Sequence, residues 1–91
     1  MKNKVLLDVK LPATQRSYEF RVPLDMTVEE GSRLMSRILA TRDQVRYEAS
    51  DDVDLMLLSG EGTGALLNPK ETFKYYVGHG QMTDGTPVCL V

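Results

Sequence analysis

Two neighbouring segments near the start of the sequence repeat apolar side chains at every second position. In residues 4–11 these are Val5, Leu7, Val9 and Leu11, and in residues 18–24 they are Tyr18, Phe20, Val22 and Leu24. A period of two is typical of a β-strand with one buried face. The polar stretch PATQRS separates the two segments and predicts a turn. The chain is therefore predicted to begin with a β-hairpin.

Residues 27–30, Thr-Val-Glu-Glu, predict the start of a helix. The Thr27 hydroxyl can accept the amide of Glu30 while the Glu30 carboxylate reaches back to the amide of Thr27, which is a capping box. The predicted apolar stripe of this helix consists of Val28, Leu34, Met35, Ile38 and Leu39. Gly31 costs about 1 kcal/mol relative to Ala inside a helix. We therefore expect either a close approach to a strand at Gly31 or simple tolerance.

The second half of the chain alternates short apolar runs with turns. A charged connector over residues 41–52 is expected to attach itself through Val45 and Tyr47. The remaining predicted elements are a third strand over 53–59, the loop GEGTGA, the apolar pair Leu66-Leu67, a short helix over 73–76, a tight turn over 83–86 and a last strand over 87–91.

Size and charge limit what such a chain can be. With 91 residues, we expect one domain spanning 1–91, and the net charge of -2 argues against a nucleic-acid partner. The N-terminal segment alternates and contains Asp8 and Lys10, so we expect neither a signal peptide nor membrane insertion. The single cysteine, Cys89, cannot form an internal disulfide and fits a reducing compartment. A cytoplasmic location is expected.

The order of these elements, with the stretch TVEEGSRLMSRIL and the final LLNPKETFKYYVGHGQMTDGTPVCLV, resembles the ubiquitin-like proteins. The resemblance implies an α+β fold of the β-grasp type, with a mixed four- to five-stranded sheet packed on one long helix. Among these families the chain is most similar to the bacterial YukD/EsaB-type proteins, accessory components of type VII secretion systems. This similarity implies a role in binding a protein partner, such as a component of the secretion machine.

The closing residues bear on covalent chemistry. Protein modifiers and sulfur carriers of the ubiquitin-like class need a Gly-Gly tail, whereas this sequence closes with Cys89-Leu90-Val91 in a predicted strand. Conjugation is therefore not expected, and a non-catalytic interaction module is the preferred interpretation. A sulfur-carrier or protein-modifier role and a β-grasp homodimer of another role are the alternatives.

Other sequence features are candidates for chemical sites. The glycines of GEGTG could approach a phosphate, but no Lys-Ser/Thr pair and no helix follow them, which favours a hairpin loop. His79 is the only histidine, whereas metal sites usually combine several nitrogen or sulfur ligands, so we expect His79 to be a solvent-facing loop residue. Cys89 lacks a nearby base, so a half-exposed strand thiol is expected. The acidic run over 50–54 lacks the pattern of a calcium loop. We therefore expect no enzyme activity, catalytic residue, metal site or cofactor.

Side chains alternate along a strand, so some apolar residues of the third and last strands must lie on the outer face of the sheet. This face is therefore more apolar than is usual for a solvent-exposed surface. Ubiquitin-like domains commonly bind partners through this face, and the resemblance implies the same here. The sequence leaves open which alternate residues of the third strand face outward, Met56 and Leu58 or Leu55 and Leu57. Charged residues Lys4, Lys10, Glu19 and Arg21 are expected around this surface. Coverage by the connector or by a dimer mate is the alternative. The predicted protein-binding residues are Leu6, Met56, Leu57, Leu58, Cys89 and Val91.

Overall fold

The computed structural model describes residues 3–42, 49–60 and 62–91. The elements, in chain order, are β1 (Lys4–Leu11), β2 (Arg16–Pro23), α1 (Val28–Arg42), β3 (Leu55–Leu57), α2 (Phe73–Gly78) and β4 (Thr86–Leu90). The two helices and the four longer strands predicted from the sequence are present, although β2 begins earlier and β3 is shorter than expected. The short strand expected at Leu66-Leu67 is reduced to a single bridge. The predicted anchoring of the connector by Val45 and Tyr47 lies outside the described residues.

The four strands form one mixed sheet in the order β2-β1-β4-β3. β1 pairs antiparallel with β2 and parallel with β4, while β3 pairs antiparallel with β4. The last strand therefore lies beside the first, as the predicted layout requires. Leu66 forms a single β-bridge with Met56 at the edge of β3 that does not pair with β4.

The core lies between one face of this sheet and α1. All four inward side chains of β1 are buried, and Tyr18 and Phe20 of β2 pack against the core while remaining partly exposed. The other core positions come from every element of the fold. They include Val22, Val28, Met35, Leu39, Leu55, Leu57, Leu67, Phe73, Tyr76, Met82, Val88 and Leu90.

The buried face of α1 differs from the predicted stripe. Leu34 is 43% exposed, whereas Ser32 and Ser36 are almost fully buried. Both serines can be buried because their hydroxyls are bonded: Ser32 donates to the carbonyl of Glu29 (3.1 Å), and Ser36 accepts the amide of Ser50 (2.9 Å). The prediction for Leu34 was wrong, since apolar content alone does not fix which side of a helix faces the sheet.

The capping box at the start of α1 is confirmed. The amide of Glu30 donates to the Thr27 hydroxyl (3.1 Å), and the amide of Thr27 donates to the Glu30 carboxylate (3.1 Å). Two further amides of the first turn, those of Val28 and Glu29, donate to the carbonyls of Glu71 (2.8 Å) and Pro69 (3.0 Å). The amides that a helix normally leaves open at its start are thus satisfied partly by the segment that leads into α2.

Gly31 lies where α1 approaches α2 most tightly. A Cβ atom at this position would lie 2.7 Å from two ring carbons of Phe73, a side chain with no solvent exposure. The expected close approach therefore exists, but it is made to an aromatic ring of the second helix rather than to a strand. Glycine leaves the space that the ring occupies.

We predict that Gly31→Ala lowers the free energy of unfolding by about 1 kcal/mol, although alanine favours helix formation. Overpacking against Phe73 costs about 1–3 kcal/mol, which exceeds the helix-propensity gain of about 1 kcal/mol. Urea unfolding measures the difference. Gly78→Ala is the matched control, because nothing lies within 4 Å of a Cβ there, and it should be neutral or stabilising. Equal gains in both variants would contradict the close approach.

The capping box also predicts a pH dependence. The hydrogen bonds from Thr27 lower the pKa of Glu30 below its ordinary value of 4.5. A lowered folded-state pKa contributes stability that is present above pH 4.5 and is lost as the pH falls through the folded-state pKa. Glu30→Gln should therefore be less stable than wild type at pH 7, and this difference should shrink in acid.

Urea unfolding of both proteins across this pH range tests the prediction. Glu29→Gln serves as the control, because the Glu29 carboxylate faces Arg33 at 3.1 Å on the helix surface instead of bonding to the amide of residue 27. A difference between wild type and Glu30→Gln that is unchanged from pH 7 to acid would show that the carboxylate form of Glu30 does not stabilise the helix start.

Candidate functional site

The register of β3 decides which of its side chains reach the outer face of the sheet. Leu55 and Leu57 point into the core with 0% and 1% exposure, so Met56 and Leu58 point outward. Pairing with β4 supports this phase, since Leu57 lies opposite the buried Val88 and Met56 opposite Cys89. The prediction that Leu57 belongs to an exposed binding surface was therefore wrong.

The outward side chains of β3 and β4 form what we call the outer apolar patch. Met56 has Cys89 on one side and Leu66 on the other, which gives a row across the sheet. Leu66 is 57% exposed, and Val91, two residues beyond Cys89, is 48% exposed. The patch comprises Met56, Leu58, Leu66, Cys89 and Val91.

Leu66 was not among the predicted binding residues. The sequence places it in the pair Leu66-Leu67, and in an extended segment two adjacent side chains point to opposite faces. Leu67 is buried, and its amide donates to the carbonyl of Leu55 (2.8 Å), so Leu66 faces outward. That alternation was the signal that could have identified it.

Cys89 forms the floor of the patch rather than part of its exposed surface. It is 5% exposed, so the expectation of a half-exposed thiol was wrong. Lys10 and Met56 lie opposite it on the two neighbouring strands. Burial raises the pKa of the Cys89 thiol above its ordinary value of 9.0, and the positive charge of Lys10 opposes that rise.

A shallow groove of about 240 Å³ lies over Cys89 and reaches the turn between β1 and β2. Its walls are formed by Leu58 on one side and by Lys10, Pro12 and Gln15 on the other. The patch thus passes from apolar side chains to a cationic border within one face.

Leu6 lies apart from the outer apolar patch. It is half-buried in β1 opposite Arg21, and it lines a second groove with Lys4 and Asp84. The predicted binding residues are therefore brought together except for Leu6 and Leu57. The four predicted surrounding charges, Lys4, Lys10, Glu19 and Arg21, are exposed on β1 and β2.

The glycine-rich segment forms a loop that bonds to itself. Gly60, Gly62 and Gly64 have positive φ angles of 74°, 84° and 88°, a region that favours glycine. The amides of Thr63 and Ala65 donate to the carbonyls of Gly60 (3.3 Å) and Gly62 (2.9 Å). These glycines serve the turn geometry, in agreement with the hairpin-loop interpretation.

The other polar candidates have local partners. His79 is exposed, its Nδ1 lies 2.7 Å from the carbonyl oxygen of Tyr75, and its ring packs on the Tyr75 ring at 4.1 Å between centroids. In the acidic run, Asp51 lies 3.5 Å from Arg37. Within residues 3–42, 49–60 and 62–91, no three His, Cys, Asp or Glu side chains are grouped so as to hold a metal ion. Neither α1 nor α2 is long and apolar enough to cross a membrane.

The helix-covered mixed sheet is the ubiquitin-like α+β fold, and solved structures match it along its whole length. The N-terminal ubiquitin-like domain of the 4931431F19Rik protein has 22% identity and a TM-score of 0.66, with 100% of this chain and 76% of that chain covered. The EccD5 ubiquitin-like domain from Mycobacterium xenopi has 14% identity and a TM-score of 0.68, with 99% and 94% covered.

A chain of the MycP5-free ESX-5 inner membrane complex is also similar, with 14% identity and a TM-score of 0.75. The match covers 99% of this chain and 21% of that one, so this chain spans about a fifth of its length. No protein-family model matches the sequence, and no curated protein sequence matches it. At these identities the likeness shows the fold, and the chain resembles the ubiquitin-like domains of a secretion complex.

We predict that Cys89 reacts slowly with a thiol reagent such as iodoacetamide at pH 8, because the thiolate is the reactive form and burial disfavours it. The control is Ser17→Cys in a Cys89→Ala background. Ser17 also lies opposite Lys10, but it is exposed, so its cysteine should react faster by about tenfold or more. Alkylation followed by mass spectrometry measures both rates. Equal rates in the folded proteins would show that Cys89 is open to solvent.

Proposed function

We propose that this protein is a non-catalytic ubiquitin-like interaction module that binds a protein partner through the outer apolar patch, as an accessory component of a bacterial type VII secretion system. The observation that supports the proposal most directly is the row formed by Cys89, Met56 and Leu66 on the face opposite α1. Cys89 is the buried floor of this row, while the exposed Leu66 and the half-buried Met56 present apolar surface of the kind that marks interaction sites more often than chance.

The border of the patch adds specificity to the proposed contact. Lys10 lies beside Cys89, while Asp54 lies at the other side, where its backbone exchanges two 2.9 Å hydrogen bonds with Val91. Charges at the rim of an interface set orientation and encounter rate more than affinity, whereas apolar anchors at its centre supply most of the binding energy. We therefore assign affinity to Met56 and Leu66 and orientation to Lys10 and Asp54.

The link to secretion is supported by the likeness to the EccD5 ubiquitin-like domain and to a chain of the ESX-5 inner membrane complex. The proposed partner is a component of the secretion machine, bound without a covalent bond by a cytoplasmic module.

The proposal predicts that Met56→Lys combined with Leu66→Lys abolishes capture of the partner. The tagged chain is incubated with the soluble and membrane fractions of its source organism, and bound proteins are identified by mass spectrometry. Each buried lysine charge should cost more than 1 kcal/mol of binding, so the pair should reduce recovery at least about tenfold. Thermal unfolding confirms that the variant folds.

Leu34→Lys is the matched control, because Leu34 is similarly exposed but lies on α1. Support requires that a secretion-machine component binds wild type and Leu34→Lys, is absent with the patch variant, and is released by a denaturing wash. Loss with Leu34→Lys alone would place the contact on the helix. A partner that survives denaturation would indicate covalent attachment and overturn the proposal.

A further inference from the structure

β2 presents an open edge of the sheet. Among the strands that the structure describes, it pairs with β1 alone. In an antiparallel pair, residues alternate between those that bond to the neighbouring strand and those whose N–H and C=O point away from it. The amide of Leu24 donates to the carbonyl of Asn3 (2.8 Å), which fixes the phase of this alternation at the end of the hairpin.

Counting from the pair Leu24–Asn3, every second residue of β2 bonds to β1, namely Val22, Phe20 and Tyr18. The backbone N–H and C=O groups of the residues between them point to the open side, and these residues are Ser17, Glu19 and Arg21. β1 confirms the phase. Leu6, opposite Arg21, donates its amide to the Asp84 carboxylate (2.9 Å) and accepts the amide of Gly85 (2.8 Å), both on the side away from β2.

Two side chains at this edge, those of Glu19 and Arg21, carry opposite charges. Glu19 and Arg21 are exposed, and neither forms an ion pair with any residue in the described part of the chain. Glu19 also lies directly opposite Asp8. Like charges facing each other across a strand pair are destabilising, so a cation brought beside Glu19 would be favourable.

We propose that the occupant of this edge is a second copy of the chain, with β2 pairing antiparallel to β2 about a two-fold axis at Phe20. In this register Glu19 lies opposite Arg21 of the second copy, and symmetry repeats the pair. An axis at Glu19 would oppose two glutamates, and an axis at Arg21 would oppose two arginines. The sequence of β2 is thus self-complementary in charge about Phe20.

The backbone geometry of the same register is consistent. Glu19 and Arg21 are the residues whose N–H and C=O face the open side, so each pair exchanges two hydrogen bonds. Pro23 has no amide, and its carbonyl already accepts the amide of Met26 (3.2 Å), so it adds nothing to the contact. The two Glu19–Arg21 pairs therefore give about four backbone hydrogen bonds. A contact confined to one strand edge is small, so the dimer is expected to be weak and concentration-dependent.

Sedimentation velocity of the whole chain from micromolar to millimolar concentration tests the proposal. Wild type should show a monomer–dimer equilibrium. Arg21→Glu opposes two glutamates at both pairs and should raise the dimer dissociation constant about tenfold or more. Lys70→Glu makes the same charge change at an exposed turn outside β2 and should leave the equilibrium unchanged.

Two rescue experiments separate pairing from unfolding. The double variant Glu19→Arg, Arg21→Glu should recover the wild-type dissociation constant. An equimolar mixture of Glu19→Arg and Arg21→Glu should form a heterodimer tighter than either variant forms alone, since both pairs become attractive.

Three results would overturn the proposal: a monomer at every concentration, rescue failure with folded variants, or a dimer that Met56→Lys with Leu66→Lys dissociates while Arg21→Glu does not. The last result would place self-association on the outer apolar patch. Conversely, a dimer lost with Arg21→Glu while partner capture by the patch persists would show that the two surfaces act independently.

Discussion

The junction between the start of α1 and the segment before α2 holds the two halves of the chain together. Carbonyls of residues 69 and 71 accept the first helix amides, and Phe73 fills the space that Gly31 leaves open. The amide of Phe73 in turn donates to the carbonyl of Met26 (3.1 Å). This contact joins positions about forty residues apart in sequence, so residues of the second half of the chain hold the start of the long helix in place.

That placement determines the chemistry of the two sheet faces. α1 packs on one face of the sheet, and the inward side chains of all four strands are buried on that face. The other face is then left to the alternate residues, which are mostly charged on β1 and β2, with Leu6 as an exception, but apolar on β3 and β4. One face of the sheet therefore carries both a charged part and an apolar part, which is the arrangement on which the proposed binding surface rests.

Local patterns in the sequence were sufficient for most elements but not for the site. β1 was predictable to the residue because every inward position is apolar while three of the four outward positions are charged. The Thr27–Glu30 capping box is encoded within four positions. In β3 the run from Val53 to Leu58 is apolar on both sides, so its facing depended on pairing with β4, a contact between distant residues. The burial of Cys89, at an outward position of β4, likewise did not follow from the alternation within its own strand.

The two edges of the sheet differ in a way that limits growth of any assembly. β3 is three residues long, and the bridge from Leu66 to Met56 occupies part of its outer side. A filament of stacked sheets requires two free edges on each chain, because every added molecule must both accept a neighbour and offer a place for the next. Because the β3 edge is short and partly occupied, pairing at the β2 edge ends with a dimer. The fold can thus keep one reactive edge without acquiring a tendency to form fibres.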